Sequence, residues 1–525
     1  MQKQVWRGHM KNVKQMFTFV LFLSLVQFAN AQIRSMEPVI ILGSELSALS
    51  GTSVDELYLF AYNDGAWNQI PMQLDEVSEN GSLFEEDDAL LDNNDELVFQ
   101  PQDGGQLASL EAWIDNDDSK THSRILLSIY DPVEEDSIFI YLYCSATLDN
   151  SDSTYYVSYN TETEEISSEY YLMGFDTEKK FWNKLQIIEE GILSNNLIDR
   201  QKTRIKGTVL FSPYTLTEED FNPTANDLKT GKVRITRRVE GNFSISGVTQ
   251  QVTGVGSYYR SYFATPNNSL DIHSSVQMIR NSIDLSAATV GSFSSDANNS
   301  SLTIDGSPDE NVQENITIEQ IAHYWLKIKL GVNSLVTVGD FSGMSNTNNL
   351  YFFDNASGGT GDGTTDTGDM VSFGDIGLKF DNPNSGNQVF ASQTYAGIGV
   401  ELSGPLCQTY FDNPFEIVST TEYYDPTGIF FESSITSKQF KLLSNYPNPF
   451  NPSTVIDFSI PEQSFTKITV HDVLGKEVEV LVNENLFPGE HRVVYKADVN
   501  TPSGVYFAKL FAGNHSKTIK MLHIK

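Results

Sequence analysis

Apolar residues in this chain come in runs too short for amphipathic helices and long enough for strands. Residues 38–42, 55–62 and 67–74 are three such runs in succession. The second and third are joined by Asn63-Asp64-Gly65, a tight-turn signal because Asp and Gly tolerate positive φ. Further runs follow at 96–100, 124–130, 137–144 and 154–159. Strand-length runs at this spacing predict antiparallel sandwiches. Between 181 and 198 the pattern fits one short helix or two strands. At 320–330, Trp325, Lys327 and Lys329 alternate with apolar residues, which favours a strand. Residues 346–369, rich in Gly, Asn, Asp and Thr, read as a long loop or insertion.

With 525 residues the chain is too long for one core. The expected fold is all-β: tandem β-sandwich domains at 32–165 and 166–431, a polar linker at 432–441, and a small Ig-like sandwich at 442–525. The first 31 residues hold four basic residues, no acidic ones, the 13-residue apolar run 16–28 and Ala29-Asn30-Ala31. That is the layout of a cleaved signal peptide, and the run falls short of the roughly 20 residues that span a bilayer. No transmembrane segment is expected after cleavage. Removing those residues leaves 30 basic against 69 acidic side chains, a net charge of 30 − 69 = −39. Such a charge repels nucleic acid and anionic membrane. Cys144 and Cys407 are the only cysteines, both in apolar stretches, and read as buried thiols unless the fold brings them together.

The end of the chain carries Leu443-Ser-Asn-Tyr446-Pro447-Asn448-Pro449-Phe450-Asn451-Pro452-Ser-Thr454, then Val470-His-Asp-Val-Leu-Gly475-Lys-Glu-Val, then Pro488-Gly-Glu-His, then Pro502-Ser-Gly504-Val-Tyr506-Phe. The order and spacing of these pieces resemble the C-terminal (type A) sorting domain of type IX secretion substrates. The resemblance implies a diderm bacterium of the Bacteroidetes–Chlorobi kind. It also implies type IX secretion machinery as a partner, passage through the outer membrane, and a location on the cell surface or outside the cell. Trp67-Asn-Gln-Ile-Pro-Met-Gln-Leu-Asp-Glu76 with Leu91-Asp-Asn-Asn-Asp-Glu-Leu-Val-Phe99 is similar to a pattern of exported bacterial β-proteins to which no activity attaches.

Chemistry in the body is less legible. Arg200, Lys202, Arg204 and Lys206 recur at every second position, so in a strand they share one face. Lys232, Arg234 and Arg238 repeat the pattern, and Tyr258, Arg260 and Tyr262 follow it. Three readings stand: a cationic, aromatic-edged face for an acidic polysaccharide, internal ion pairs with Glu189, Glu190, Asp199, Glu218, Glu219 or Glu240, or segments that never meet. Asp92, Asn94 and Asp95, and later Asp354, Asp362, Asp366 and Asp369, supply oxygen-rich turns that suit calcium or solvent equally. Neither has EF-hand spacing, and His122, His273 and His323 lack metal-ligand partners in sequence. Tyr258, Tyr262 and His273 are the candidates for the base of a polysaccharide lyase. The body therefore reads first as a non-catalytic binding module. The alternatives are a structural or adhesive surface protein and a secreted carbohydrate-active enzyme.

Overall fold

The computed structural model describes residues 34–424 and 440–525, except 79, 86–87, 151, 246, 288, 297–300, 309–314, 317–323, 342–343, 345–346, 443–444, 461–463, 474–475, 487–488, 499–500 and 514. The signal peptide, His323, Gly475 and most of the expected linker lie outside those residues. The regular structure of the described residues is almost entirely strand, in multiple antiparallel sheets, as the short alternating runs predict. The nine residues Gly404–Asp412 form its one regular helix of any length among the described residues, with Ser403 accepting at the N-terminus and Pro405 in the first turn. No helix among the described residues is long and apolar enough to cross a membrane.

The chain forms two compact units. Of the described residues, the first gathers 34–39, 98–102 and 154–414. Its main body is two large sheets. One has nine strands in the order Phe221–Thr230, Ile235–Ile245, Val248–Tyr258, Tyr262–Ile272, Gly386–Gly397, Asn333–Asp340, Tyr324–Leu330, Gly291–Ser295 and Leu302–Ile304. The other has six: Ser212–Thr217, Ile198–Val209, Val276–Leu285, Ser372–Asp381, Thr347–Asn355 and Asn315–Ile316. Their inner faces share one apolar core that includes Ile205, Phe243, Phe263, Ile279, Ile376 and Phe380. The ambiguous stretch after 181 is two strands, Trp182–Glu189 and Ile192–Leu193, paired across a turn at positive-φ Glu190 and Gly191. The expected loop at 346–369 is half strand: Leu350, Tyr351 and Phe352 are buried and hold Thr347–Asn355 in the sheet, so the true loop begins at 356.

The second unit gathers residues 40–97, 103–153 and 415–525. Its body sheet runs Glu416–Tyr423, Ser123–Asp131, Asp136–Cys144, Leu57–Asn63 and Ala66–Gln69. Asn63 pairs with Ala66 across Asp64 (φ 50°) and Gly65 (φ 85°), the two-residue turn that the Asn-Asp-Gly signal predicts. The chain leaves this sheet at Cys144 and returns to it at Glu416, where Glu416 pairs with Tyr130. The end of the chain is a seven-stranded sandwich. Lys441–Leu442, Ser453–Ile460 and Gly489–Lys496 form one sheet, and Glu477–Leu486, Ser464–Asp472, Gly504–Ala512 and His515–His523 the other. Cys144 and Cys407 are both buried free thiols.

Candidate functional site: an apolar cavity above a buried ionic layer

Alternation along Ile198–Val209 sends Gln201, Thr203 and Ile205 toward the facing sheet and the four basic side chains to the opposite face. That opposite face is covered by the Gly-Asp-Thr loop. Lys202 is fully buried, its Nζ 2.6 Å from Asp366 Oδ1 and 2.7 Å from Asp284 Oδ2. Arg204, also fully buried, pairs with Glu218 and donates to Thr367 Oγ1 at 2.8 Å. Lys206 Nζ donates to the Asp362 carbonyl at 2.7 Å. From the neighbouring strand, Arg280 reaches Asp375 Oδ2 at 3.0 Å and Asp362 Oδ2 at 3.3 Å, and lies 4.1 Å from the centre of the Tyr351 ring. Arg200, at the margin, pairs with Glu219 and lies 3.6 Å from Asp199. The basic stripe and the acidic loop, separate features in the sequence, are each other's partners.

Three buried cations (Lys202, Arg204, Arg280) face five buried carboxylates (Glu218, Asp284, Asp362, Asp366, Asp375), a difference of 3 − 5 = −2. Excess negative charge in a dry layer raises proton affinity. Burial, and after it the charge of Asp375, pushes the Asp284 carboxyl up to about 8 from an ordinary 3.8. A carboxyl raised in the folded state stabilises the fold at low pH and loses that contribution as pH climbs through the folded value. We therefore expect the melting temperature of this unit to fall between pH 5 and pH 9, each kcal/mol lost showing as about 2–4 °C. Asp284→Asn, a mimic of the neutral acid, flattens that slope in a thermal melt. A slope as steep in the variant as in the parent rules Asp284 out as its source.

Of the other expected ligand residues, Arg238, Tyr258 and Tyr262 lie on strands of the nine-stranded sheet, while Lys232, Arg234 and Arg260 fall in its connecting turns, where strand alternation does not apply. Ile235 pairs with Tyr258, so the Lys232–Arg238 and Tyr258–Tyr262 segments adjoin. Lys232 lies 5.6 Å from the Tyr155 ring, and Arg234 is buried. Arg238 pairs with Asp227 at 2.7 Å. Arg260 pairs with Glu169 and sits between the rings of Tyr156 and Tyr170. Tyr258 and Tyr262 are buried, and burial holds both hydroxyls above the ordinary phenol value, which makes them poor bases. His273 is exposed, with Nδ1 2.9 Å from Ser275 Oγ.

The acidic turns are mostly occupied by the protein itself. Asp95 accepts from the Val77 and Asp92 amides, both at 2.9 Å, Asp92 accepts from the Asn94 amide at 3.0 Å, and Asn94 donates to the Ser78 carbonyl. Asp354 accepts from the amides of Asp305, Gly306 and Gly374. Carboxylate oxygens of Asp199, Asp284 and Asp369 come within 4.8 Å of one another, and the Lys202 ammonium already contacts Asp284 there. Asp362 and Asp366 meet Arg280 and Lys202 instead.

Between the inner faces of the two sheets lies a cavity of about 350 Å³. Aromatic and aliphatic side chains form most of its wall, among them Phe221, Phe243, Phe263, Leu335, Ile376 and Phe380. Polar contact is sparse, from groups such as Thr203, Asn281 and Thr394. The charged side chains of the described lining are Lys179, Lys180 and Arg237, all cationic in a strongly acidic chain. Sequence reasoning passed over them, although Ile235-x-Arg237-x-Val239 carries a signal: one cation within the inward-facing apolar series.

In the terminal sandwich, the Tyr-Pro-Asn-Pro-Phe-Asn-Pro segment locks onto the last strand. Phe450 is buried between Tyr495 and His523, its amide donating to the Leu522 carbonyl at 2.9 Å. Asn448 accepts from the Leu522 amide at 2.7 Å, and the Pro447 carbonyl accepts from Thr454 Oγ1 at 2.9 Å. Tyr446 pairs with Val455, and the Pro452 carbonyl accepts from the Ala497 amide. Pro449 and Asn451 are exposed, and Tyr506, next but one to Gly504, donates to the Pro502 carbonyl.

Residues 444–525 match the family described as the secretion system C-terminal sorting domain. No curated protein matches the chain. Among solved structures, it is similar to the C-terminally truncated trimeric ectodomain of the C. elegans fusion protein EFF-1. The identity is 7% over 90% of this chain and 84% of that one, at a TM-score of 0.13, which supports no argument about fold or function.

Proposed function

From a chain whose tail makes it a type IX secretion substrate, exported to the cell surface or outside the cell, we propose a body that works as a non-catalytic binding protein. Its ligand is an apolar molecule held between the two sheets of the first unit. The observation that carries this reading is the cavity itself. Well-packed interiors leave few voids larger than a water molecule. Ligand pockets run from roughly 300 to 1,000 Å³ and are mostly apolar with a few polar groups, and a dry apolar cavity of only about 150 Å³ already takes up benzene. An acidic polysaccharide would need the cations at 200–206 in solvent. Lys202 and Arg204 are buried against carboxylates, so our reading moves the ligand from that face to the cavity.

Gly254 provides the test. It shares the inner face of Val248–Tyr258 with Val252 and Tyr258, and a Cβ built there meets only Asn268 Oδ1, at 4.0 Å. The backbone there accepts a Cβ, and Gly254→Phe in the full chain directs a ring toward the cavity. We expect the parent to raise the fluorescence of N-phenyl-1-naphthylamine, a neutral apolar dye, and the variant to keep its circular dichroism spectrum and lose that rise. Equal dye uptake by a folded variant contradicts the reading.

A further inference from the structure

The cavity's charges say more about what it takes. Arg237 projects into its wall from Ile235–Ile245 and is 4% exposed. Nη1 donates to the Lys180 carbonyl at 3.2 Å, and the Phe175 ring stacks 4.1 Å from Cζ. Nε and Nη2 have no hydrogen-bond partner. The nearest carboxylate oxygen, Glu164 Oε2, stands 3.7 Å from Nη2, beyond hydrogen-bond distance, while the other oxygen of Glu164 is taken by Lys180 at 2.6 Å. Leaving donors of a buried guanidinium unmade is costly, because water is no longer there to solvate them. Burial accordingly holds Arg237 below its ordinary value, offset only in part by the hydroxyls of Tyr258 and Tyr159 and by the Glu164 carboxylate.

Lys179 and Lys180 stand beside it, in the turn that leads into Trp182–Glu189. Lys179 Nζ donates to the Phe221 carbonyl at 3.0 Å, on the cavity wall. One side of an otherwise apolar chamber thus carries three cations and no carboxylate among its described lining. That arrangement matches a molecule with a hydrocarbon body and a single anionic head.

Resting on the cavity reading above, we propose that the ligand is an aliphatic carboxylate, its chain lying between the two sheets and its carboxylate accepting from Nε and Nη2 of Arg237. The planar guanidinium fork offers two parallel donors to such a group, which a lysine could not. Lys179 and Lys180 add positive potential at the same side.

The test is calorimetric titration of the full chain at neutral pH with dodecanoate and, separately, dodecanol, for the parent and for Arg237→Met. We expect the parent to bind dodecanoate roughly tenfold to a hundredfold more tightly than dodecanol, the range that a charge-assisted hydrogen bond supplies. Arg237→Met should bring the two ligands level by weakening dodecanoate and sparing dodecanol. Equal affinities in the parent overturn the carboxylate assignment and leave the cavity reading standing. Binding of neither ligand overturns both. A folded Arg237→Met that still prefers dodecanoate also overturns the assignment. If the variant does not fold, the ratio measured in the parent decides alone.

Discussion

Lys202→Met is expected to destabilise the first unit by about 3–5 kcal/mol, the usual effect of removing one partner from a buried ion pair. Its ammonium lies between Asp284 and Asp366, all three essentially inaccessible to water. Methionine fills a similar volume, so the loss is electrostatic: Asp366 loses its cation, and Asp284 a hydrogen-bond donor, in a dry layer that holds more acidic than basic groups. In a thermal melt the loss reads as a drop of roughly 6–20 °C. Arg238→Ala provides the contrast. Its pair with Asp227 is partly exposed on both sides, and such pairs contribute at most about 1 kcal/mol. A loss of less than about 1 kcal/mol for Lys202→Met would mean that the stripe is solvated, and would return it to the pool of ligand-binding candidates.

The second large effect is all-or-none. Deleting 442–525 is expected to leave the protein in the periplasm and absent from both the cell surface and the medium. The tail has its own core, built on Phe450, Ile456, Phe458, Ile468, Leu510 and Met521, so its sandwich presents a defined surface that transport machinery can recognise. Its opening motif is bound to its last strand through Asn448 and Phe450. A shorter truncation that removes only residues 515–525 takes away the partner of that motif and should fail in the same way. Fractionation followed by surface proteolysis of the native bacterium reads both outcomes. Normal surface delivery of the truncated chain contradicts the sorting role.

The tail was legible because its signal lies in local residue order: prolines, asparagines and glycines at fixed offsets. The strand class was legible for a similar reason, since alternation and the Asp64-Gly65 turn act over a few residues. Pairing across long separations was not. Lys202 and Asp366 are 164 residues apart, and nothing local to either names the other. The stripe at 200–206 did show correctly that four cations share a face, and left open whether solvent, ligand or protein lies opposite. Leu350, Tyr351 and Phe352 were hidden in a polar stretch, where composition outweighed three buried side chains. The cavity left almost no trace in the sequence. An inward residue looks the same whether it touches its opposite number or faces a void, and only Arg237 among inward apolar neighbours hinted at one.

The central claim is that a ligand occupies the space between the two sheets. A crystal structure of the full chain grown with saturating dodecanoate tests it most directly. The account predicts continuous density along Phe243, Phe263, Leu335 and Phe380, ending within hydrogen-bond distance of Arg237. Density confined to the outer surface, with the inter-sheet space filled by repacked side chains, would contradict it.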